Sequence, residues 1–414
     1  MVKESMFMSA SRAFPPPRRA HHAFARGTGL LALLAVAACA DPAPTVAQTG
    51  EVLSSDHHAF RVVTVAEGLV NPWSIAFLPG GDILVTERPG RLRIIRDGVL
   101  DPTPIAGVPQ VRAQGQGGLL DVVLHPDFAS NRMVYLSYSK PRNDGDEGTT
   151  AVARGVFDGQ ALTNVEDIFV AEAWGRAGQH FGSRLAFDRD GYLFVTVGDR
   201  GNSPMTDTPE THPAQTTDNH IGSVLRLNDD GSVPADNPFV GQAGYLPEIY
   251  AYGSRNAQGM VIHPETNEVW INEHGPQGGD EINLIQPRAN YGWPVVGHGV
   301  QYGGDQIHDR TSMAGMTDPV HVWVPSIATS GMMIYTGDAF PAWRGSFFNG
   351  GLAGEQLARV TIDGHTSTGE ETLLRGAVGR IRDVRQGPDG FIYLAIDERR
   401  GGESPILRLE PAGN

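Results

Sequence analysis

The chain is poor in three things, and each absence narrows what it can be. Its 414 residues contain one cysteine, so no disulfide framework and no haem-attachment pair of cysteines can be built. Positive charge is scarce: 32 lysines and arginines stand against 47 aspartates and glutamates, a formal net charge of −15. No sustained basic face is available for phosphates, which excludes nucleic acid as a partner. Long apolar runs are missing as well. The longest, "GLLALLAVAA" before Cys39, is too short to span a bilayer.

That run has a different meaning. Arg18, Arg19 and Arg26 precede it and small residues follow, the layout of an export signal, with Arg18-Arg19 as a weak twin-arginine hint. "VAAC" (Val36–Cys39) resembles the lipobox of bacterial lipoproteins, in which the cysteine carries the lipid. Cleavage by an ordinary signal peptidase near "APTVAQ" is the alternative. The expected organisation is therefore a leader over 1–39, a flexible Pro- and Ala-containing tether over 40–58 and a mature domain over 59–412, working in the periplasm and anchored to a membrane through Cys39.

What the chain has in abundance is glycine (52) and proline (29), the composition of many short strands joined by tight turns. One pattern recurs. "IAFLPGGDILVTERPGRLRII" begins at Ile75, "VVLHPDFASNRMVYLSYS" at Val122, "LAFDRDGYLFVTVGDRG" at Leu185, "MVIHPETNEVWINEHG" at Met260 and "VRQGPDGFIYLAIDE" at Val384. Each is a few apolar residues, a Pro/Asp/Gly turn, then an alternating β-branched and aromatic strand. A sixth, blurred copy runs from Gly331 to Asp363. Six such hairpins, tens of residues apart, predict an all-β, six-bladed β-propeller. The longest loops are expected near Tyr138–Gln179, Asn202–Gly222 and Asn290–Val324, gathered at one mouth of the central channel.

Five stretches break the hairpin pattern at equivalent places: "GQGGLLDVVLHP" with Gln116, "GQHFGSRLAF" with His180, "YGSRNAQGM" with Arg255 and Asn256, "GRIRDVRQGPDG" with Arg380 and Arg382, and "NEHGPQGGDEIN" over Asn272–Asn283. Arg380 and Arg382 are two apart, so on a strand they share a face and suit a ligand with several carboxylates. Pairing with local acids such as Asp383 and Asp199 is the plain structural alternative. A histidine among small and polar residues suits proton abstraction near neutral pH, or is an ordinary surface or core histidine. The "HGPQGGDE" loop offers bare carbonyls at Gly275 and Pro276 and carboxylates at Asp280 and Glu281, a hard-oxygen supply fit for calcium rather than zinc.

Together and in order, these stretches resemble the soluble, pyrroloquinoline quinone (PQQ)-dependent glucose/sorbosone dehydrogenase family, most nearly its aldose sugar dehydrogenase branch. "NEHGPQGGDEINLI…NYGWP", "HFGSRLAFDRDGYLFVTVGD" and "RIRDVRQGPDGFIYLAIDE" carry the likeness, which extends over roughly Phe60 to Glu410. The resemblance implies oxidation of an aldose at its anomeric carbon to the lactone, with His180 as general base. Gln116, Asp199, Arg255, Asn256, Trp323, Arg380 and Arg382 match positions that contact PQQ, Arg255 also stabilising charge on the quinone oxygen. Gly275 and Pro276 match the carbonyls that hold calcium, the Lewis acid. Two departures stand out: Ala353 occupies the position of a cofactor-contacting lysine in the family's glucose dehydrogenases, and Gln179 replaces the acidic residue that precedes the histidine in some relatives. The electron acceptor, a cytochrome or a membrane quinone, and the ligands of any second calcium are not legible. Two other classes fit a calcium-dependent or lipid-anchored propeller: a lactonase or other hydrolase, and a non-catalytic binding protein at the cell surface.

Overall fold

The structure, a computed structural model, describes residues 50–399 and 401–413. The expected leader, Cys39 and the first part of the tether lie outside the described residues. The rest of the tether is not flexible chain: Val52–Ser54 is a short strand paired with Ala59–Arg61. Three residues are too few to show an alternation in sequence.

Six antiparallel sheets follow one another in the described chain. Their innermost strands are Pro72–Phe77, Leu119–Leu124, Leu185–Phe187, Ala257–Ile262, Thr329–Ile334 and Ile381–Gln386, in blades one to six. Each packs beside the next around a central channel, and the sixth returns to the first. The predicted six-bladed propeller is therefore the fold. Closure comes from the N-terminal strand Ala59–Val70, which joins the last blade by pairing with Glu403–Pro411 from Phe60↔Pro411 to Val70↔Glu403. The two ends of the domain lock one sheet, and no ring edge is left open.

The recurrent turn has a local cause. In "DRDG" the Asp188 carboxylate accepts from the backbone N–H groups of Asp190 (3.0 Å) and Tyr192 (2.9 Å), and Gly191 takes the left-handed φ of +86° that closes the hairpin. Apolar residues of the alternating strands then meet between blades. Six apolar clusters result, one at each blade-to-blade contact. The fifth–sixth contact is the most aromatic, with Trp343, Phe340 and Phe348 in one cluster.

The channel is filled by charge rather than by water-exposed surface. Asp121 pairs with Arg184 (3.3 Å) and Arg385 (3.1 Å), and Asp383 with the same two arginines (3.0 and 2.9 Å). This alternating ring ties blades two, three and six together. It also reaches blade one, where Ser74 Oγ donates to Asp121 and the Ile75 N–H to Asp383. Above it lies a small apolar floor of Trp73, Leu120 and Phe181.

One loop expectation needs correction. Tyr138–Gln179 is mostly the body of blade two, with strands Met133–Arg142, Glu147–Phe157 and Leu162–Val170. The outermost of these has two register shifts and a largely exposed, polar sequence, which hides its alternation. The other two segments are loops as expected: Asn202–Gly222 contains only short 3-10 turns, and Asn290–Val324 only the edge strand His321–Trp323.

Candidate active site

His180 follows no hairpin strand. It sits at a left-handed φ of +52°, a conformation that is uncommon for a residue with a side chain and that marks the start of a tight bend through Gly182 and Ser183. The bend is held from three sides. The His180 N–H donates to Gln116 Oε1 (2.9 Å), the Gly182 N–H to Asn256 Oδ1 (3.1 Å), and the Arg200 N–H to the His180 carbonyl (3.2 Å). Thus Gln116 and Asn256, both expected near the cofactor, set the histidine's backbone.

The imidazole is buried, and its Nδ1 lies 2.6 Å from Asp199 Oδ1. Asp199 is fixed in turn by the Gly201 N–H on Oδ1 (2.7 Å) and the Trp293 indole N–H on Oδ2 (2.9 Å). Burial alone would raise its pKa. The charge and hydrogen bond of His180, together with Arg255 and the Gly201 N–H, outweigh burial and leave it below the ordinary carboxylate value. An ionised carboxylate on Nδ1 places the ring proton there and leaves Nε2 as the basic nitrogen.

Arg255 stands beside this pair. Its backbone carbonyl accepts from the Asp199 N–H (2.7 Å) and its guanidinium lies 5.2 Å from the Trp293 ring centre. One terminal nitrogen donates to the carbonyls of His274 (3.1 Å) and Gly275 (3.0 Å). The arginine thereby holds the loop quoted above. Gly275 is required at its bend, because a Cβ there would sit 2.1 Å from the Gly278 carbonyl oxygen.

Asp280 does not offer itself to a cation. Its carboxylate accepts from the Gly275 N–H (2.8 Å), Ser326 Oγ (2.6 Å) and the Thr329 N–H (3.2 Å), so it staples the loop. Glu281 faces Glu273 and Asn283 inside a cavity beneath the loop, where burial and the neighbouring carboxylate raise its pKa well above normal. Of the two carbonyls expected to face a cation, that of Gly275 already accepts from Arg255, and the Pro276 oxygen accepts no hydrogen bond among the described residues.

Across the mouth, Arg380 and Arg382 do share a face, as their spacing predicts. Both approach Asp397, at 3.8 and 3.5 Å. Arg380 also donates to the Leu352 carbonyl (3.0 Å), next to Ala353, and Arg382 to Gln258 Oε1 (2.8 Å). Their acid partner is therefore Asp397, and neither Asp383 nor Asp199 serves them. Gln258 carries the contact onward, since its amide reaches the Gly182 carbonyl (3.2 Å) in the histidine bend.

Trp323, expected near the cofactor plane, packs between blades four and five. It ends the outer strand of blade four, and its indole N–H donates to Glu370 of blade five (2.9 Å). Its ring belongs to the apolar cluster between those blades. Trp323 is buried, and Val324, just beyond the strand, is exposed. The aromatic at the site is Trp293, from the "NYGWP" stretch. His274 was also missed: its Nε2 contacts the Thr329 carbonyl, and burial, with Arg255, Arg382 and His180 around it, depresses its pKa well below that of a free imidazole. It is a neutral spacer among cations.

The residues present fit a polycarboxylate quinone held with a cation. Arg380 Nε and Asn256 Nδ2 are buried without partners, and one carboxylate faces the two arginines.

A propeller whose mouth holds a histidine–aspartate pair and two arginines fits the quinoprotein class of oxidoreductases. The comparison with known sequences agrees: residues 69–408 match the model of the Glucose / Sorbosone dehydrogenase family, and the chain belongs to that family. It is similar to the aldose sugar dehydrogenase YliI of Escherichia coli, 42% identical over 356 residues that cover 85% of this chain and 93% of the relative. The crystal structure of the soluble aldose sugar dehydrogenase from Escherichia coli, in its apo form, superposes with a TM-score of 0.79 at 41% identity, covering 85% and 99% of the two chains. The PQQ-bound aldose sugar dehydrogenase of Streptomyces coelicolor does so with a TM-score of 0.68 at 30% identity, covering 85% and 98%.

Proposed function

We propose that the protein oxidises aldose sugars at the anomeric carbon to lactones, with PQQ as its cofactor and calcium beside it. The observation that carries this reading is the His180–Asp199 pair, its free Nε2 set in the same mouth as the arginine wall. Converting a cyclic hemiacetal to a lactone removes a proton from the hydroxyl oxygen and a hydride from the carbon. When bound, PQQ is the two-electron acceptor for that hydride and calcium the Lewis acid at its carbonyl.

The chain's own residues do the rest. His180 takes the hydroxyl proton at Nε2, and Asp199 stabilises the imidazolium that forms. Arg380 and Arg382 receive carboxylates of the cofactor, Gln116 and Asn256 border it, and Gly275 and Pro276 offer their carbonyls to the cation. Arg255 supplies a fixed positive charge where negative charge grows. Export to the periplasm, lipid attachment at Cys39 and electron delivery to a cytochrome or a membrane quinone complete the proposal.

The test is dye-linked oxidation of glucose and other aldoses by purified apoprotein, with PQQ and calcium added separately and together. Activity should need both additions and fall by about 10²- to 10⁴-fold in His180→Ala, the usual contribution of a general base. Turnover without PQQ would sink the proposal, and full activity in the variant would remove His180 from it.

A further inference from the structure

The arginine wall has a neighbour that its sequence spacing does not announce. Arg88 follows the strand Ile83–Glu87 of blade one, and its backbone is pinned on both sides. Its N–H donates to the Asn71 carbonyl (3.0 Å) and its carbonyl accepts from the Leu119 N–H (3.1 Å). Asn71 is also the residue whose amide holds Asp397 Oδ1 (2.8 Å), so Arg88 is fixed next to the one acid that Arg380 and Arg382 share. On its other side the guanidinium donates to the Gly115 carbonyl, one residue before Gln116. Arg88 therefore bridges the glutamine that sets the histidine bend and the arginine wall of blade six.

Charge does not balance there. Glu87, the nearest acid in sequence, is fully buried and taken by Arg91 (2.5 Å) and Arg93 (3.3 Å). Among the described residues no carboxylate comes within ion-pair distance of Arg88, and its remaining guanidinium donors make no hydrogen bond. Burial, with the repulsion of Arg399 and Arg88, holds Arg380 below its ordinary pKa against the attraction of Asp397 and Glu355. Burial, then the repulsion of Arg380, Arg88 and Arg184, pulls Arg382 down to about 10 although Asp397 opposes the fall. Half-buried cations that repel one another across a mouth are stabilised by an anion placed between them.

We infer that Arg88 binds a carboxylate of the anionic cofactor together with Arg380 and Arg382, a third arginine supplied by blade one. The inference rests on the quinone reading above and extends it to a residue outside the five stretches that carry the family likeness.

Titration of the apoprotein with PQQ, followed by quenching of tryptophan fluorescence at several salt concentrations, tests it without any turnover. Arg88→Gln should weaken binding by about tenfold, the scale of one charge-assisted hydrogen bond, and flatten the dependence of affinity on salt. Arg88→Lys, which keeps the charge and loses the fork, should fall between that variant and the native protein. Arg344→Gln, on an exposed pair with Asp338 outside the mouth, is the control and should bind as the native protein does. Native affinity and native salt dependence in both Arg88 variants would overturn the inference while leaving the quinone reading intact. Failure of the unaltered protein to bind PQQ would overturn that reading, and this inference with it.

Discussion

Replacing Asp199 by asparagine separates charge from geometry at the proposed base. The carboxylate accepts three hydrogen bonds: His180 and the Gly201 N–H on Oδ1, and the Trp293 N–H on Oδ2. An amide has one acceptor end. With its oxygen at the Oδ1 position it still accepts from Gly201 and from the protonated Nδ1, and only its NH₂ meets the Trp293 N–H, donor against donor. The reverse orientation sets the NH₂ against the Gly201 N–H and, while the imidazole keeps its tautomer, against Nδ1–H as well; in the first orientation the tautomer is kept and what is lost is the negative charge.

The size of that loss can be worked out. Unit charges about 4 Å apart at an effective dielectric of about 20 attract by about 4 kcal/mol. The amide dipole retains part of this, so the imidazolium formed during proton transfer loses about 3–4 kcal/mol of support. Since about 1.4 kcal/mol is a factor of ten, kcat should fall by about 10²- to 10³-fold. PQQ affinity should stay within about threefold of native, as Asp199 holds His180 and not the arginine wall.

The donor conflict adds a stability signature. An unsatisfied indole N–H costs about 1–3 kcal/mol, and Trp293→Phe in the same chain removes it. The double variant should thus melt above Asp199→Asn alone while its kcat stays low. Stopped-flow reduction of the PQQ-loaded protein and thermal melts read the two effects separately. A kcat within threefold of native, or a double variant less stable than the single, would refute the reasoning.

Three further outcomes follow from the same contacts. Gly275→Ala should abolish calcium-dependent activation, because its Cβ would need to lie 2.1 Å from the Gly278 oxygen and the loop must open; calcium titration of the PQQ-loaded variant reads this directly. Trp323→Phe should lower the melting temperature by loss of its bond to Glu370 and leave PQQ binding unchanged; a tenfold weaker affinity would return that residue to the mouth. Asp383→Asn should destabilise the fold by about 3–5 kcal/mol, since it leaves Arg184 and Arg385 buried with half their partners. Burial would raise the Asp383 pKa, but the two arginines outweigh it and hold it below the ordinary value. A depressed carboxylate stabilises above its unfolded pKa of about 4, and that support is lost as pH falls through the folded value. Native protein should accordingly lose stability below pH 4 more steeply than the variant, by denaturant melts from pH 6 to pH 3.

The propeller was legible because its blades repeat a device that sequence shows directly: an acidic or prolyl turn with a left-handed glycine or asparagine between alternating strands. The blurred sixth unit was legible only through its apolar strands, because its turn is replaced by the aromatic Phe340–Trp343 corner. Blade two's outer strands have acidic turns with left-handed Gly145 and Gly159, and they escaped because the outermost strand carries polar residues on an exposed edge and its register shifts twice. At the site, backbone-borne features were readable. The strained run around His180, the bare-carbonyl loop and the paired arginines all break the hairpin pattern, and each appears where the blades meet the mouth.

Side-chain direction was less readable, and the two tryptophans show why. Trp323 and Trp293 both stand near glycine or proline in stretches that resemble the family, so their surroundings in sequence are alike. Trp323 is carried by a strand, and the pleat turns it toward blade five. Trp293 lies in the long crossing between the third and fourth strands of blade four, where no pleat fixes direction. Its placement is decided by one acceptor, Asp199 Oδ2, from the neighbouring blade, and by Arg255 lying 5.2 Å from its ring. Both partners were themselves read as site residues. A donor-only aromatic in a loop beside a carboxylate that must stay ionised is drawn to that carboxylate, because an indole N–H buried elsewhere would go unpaired. The site therefore selects its own tryptophan, a relation between residues far apart in the chain that no window along the sequence contains.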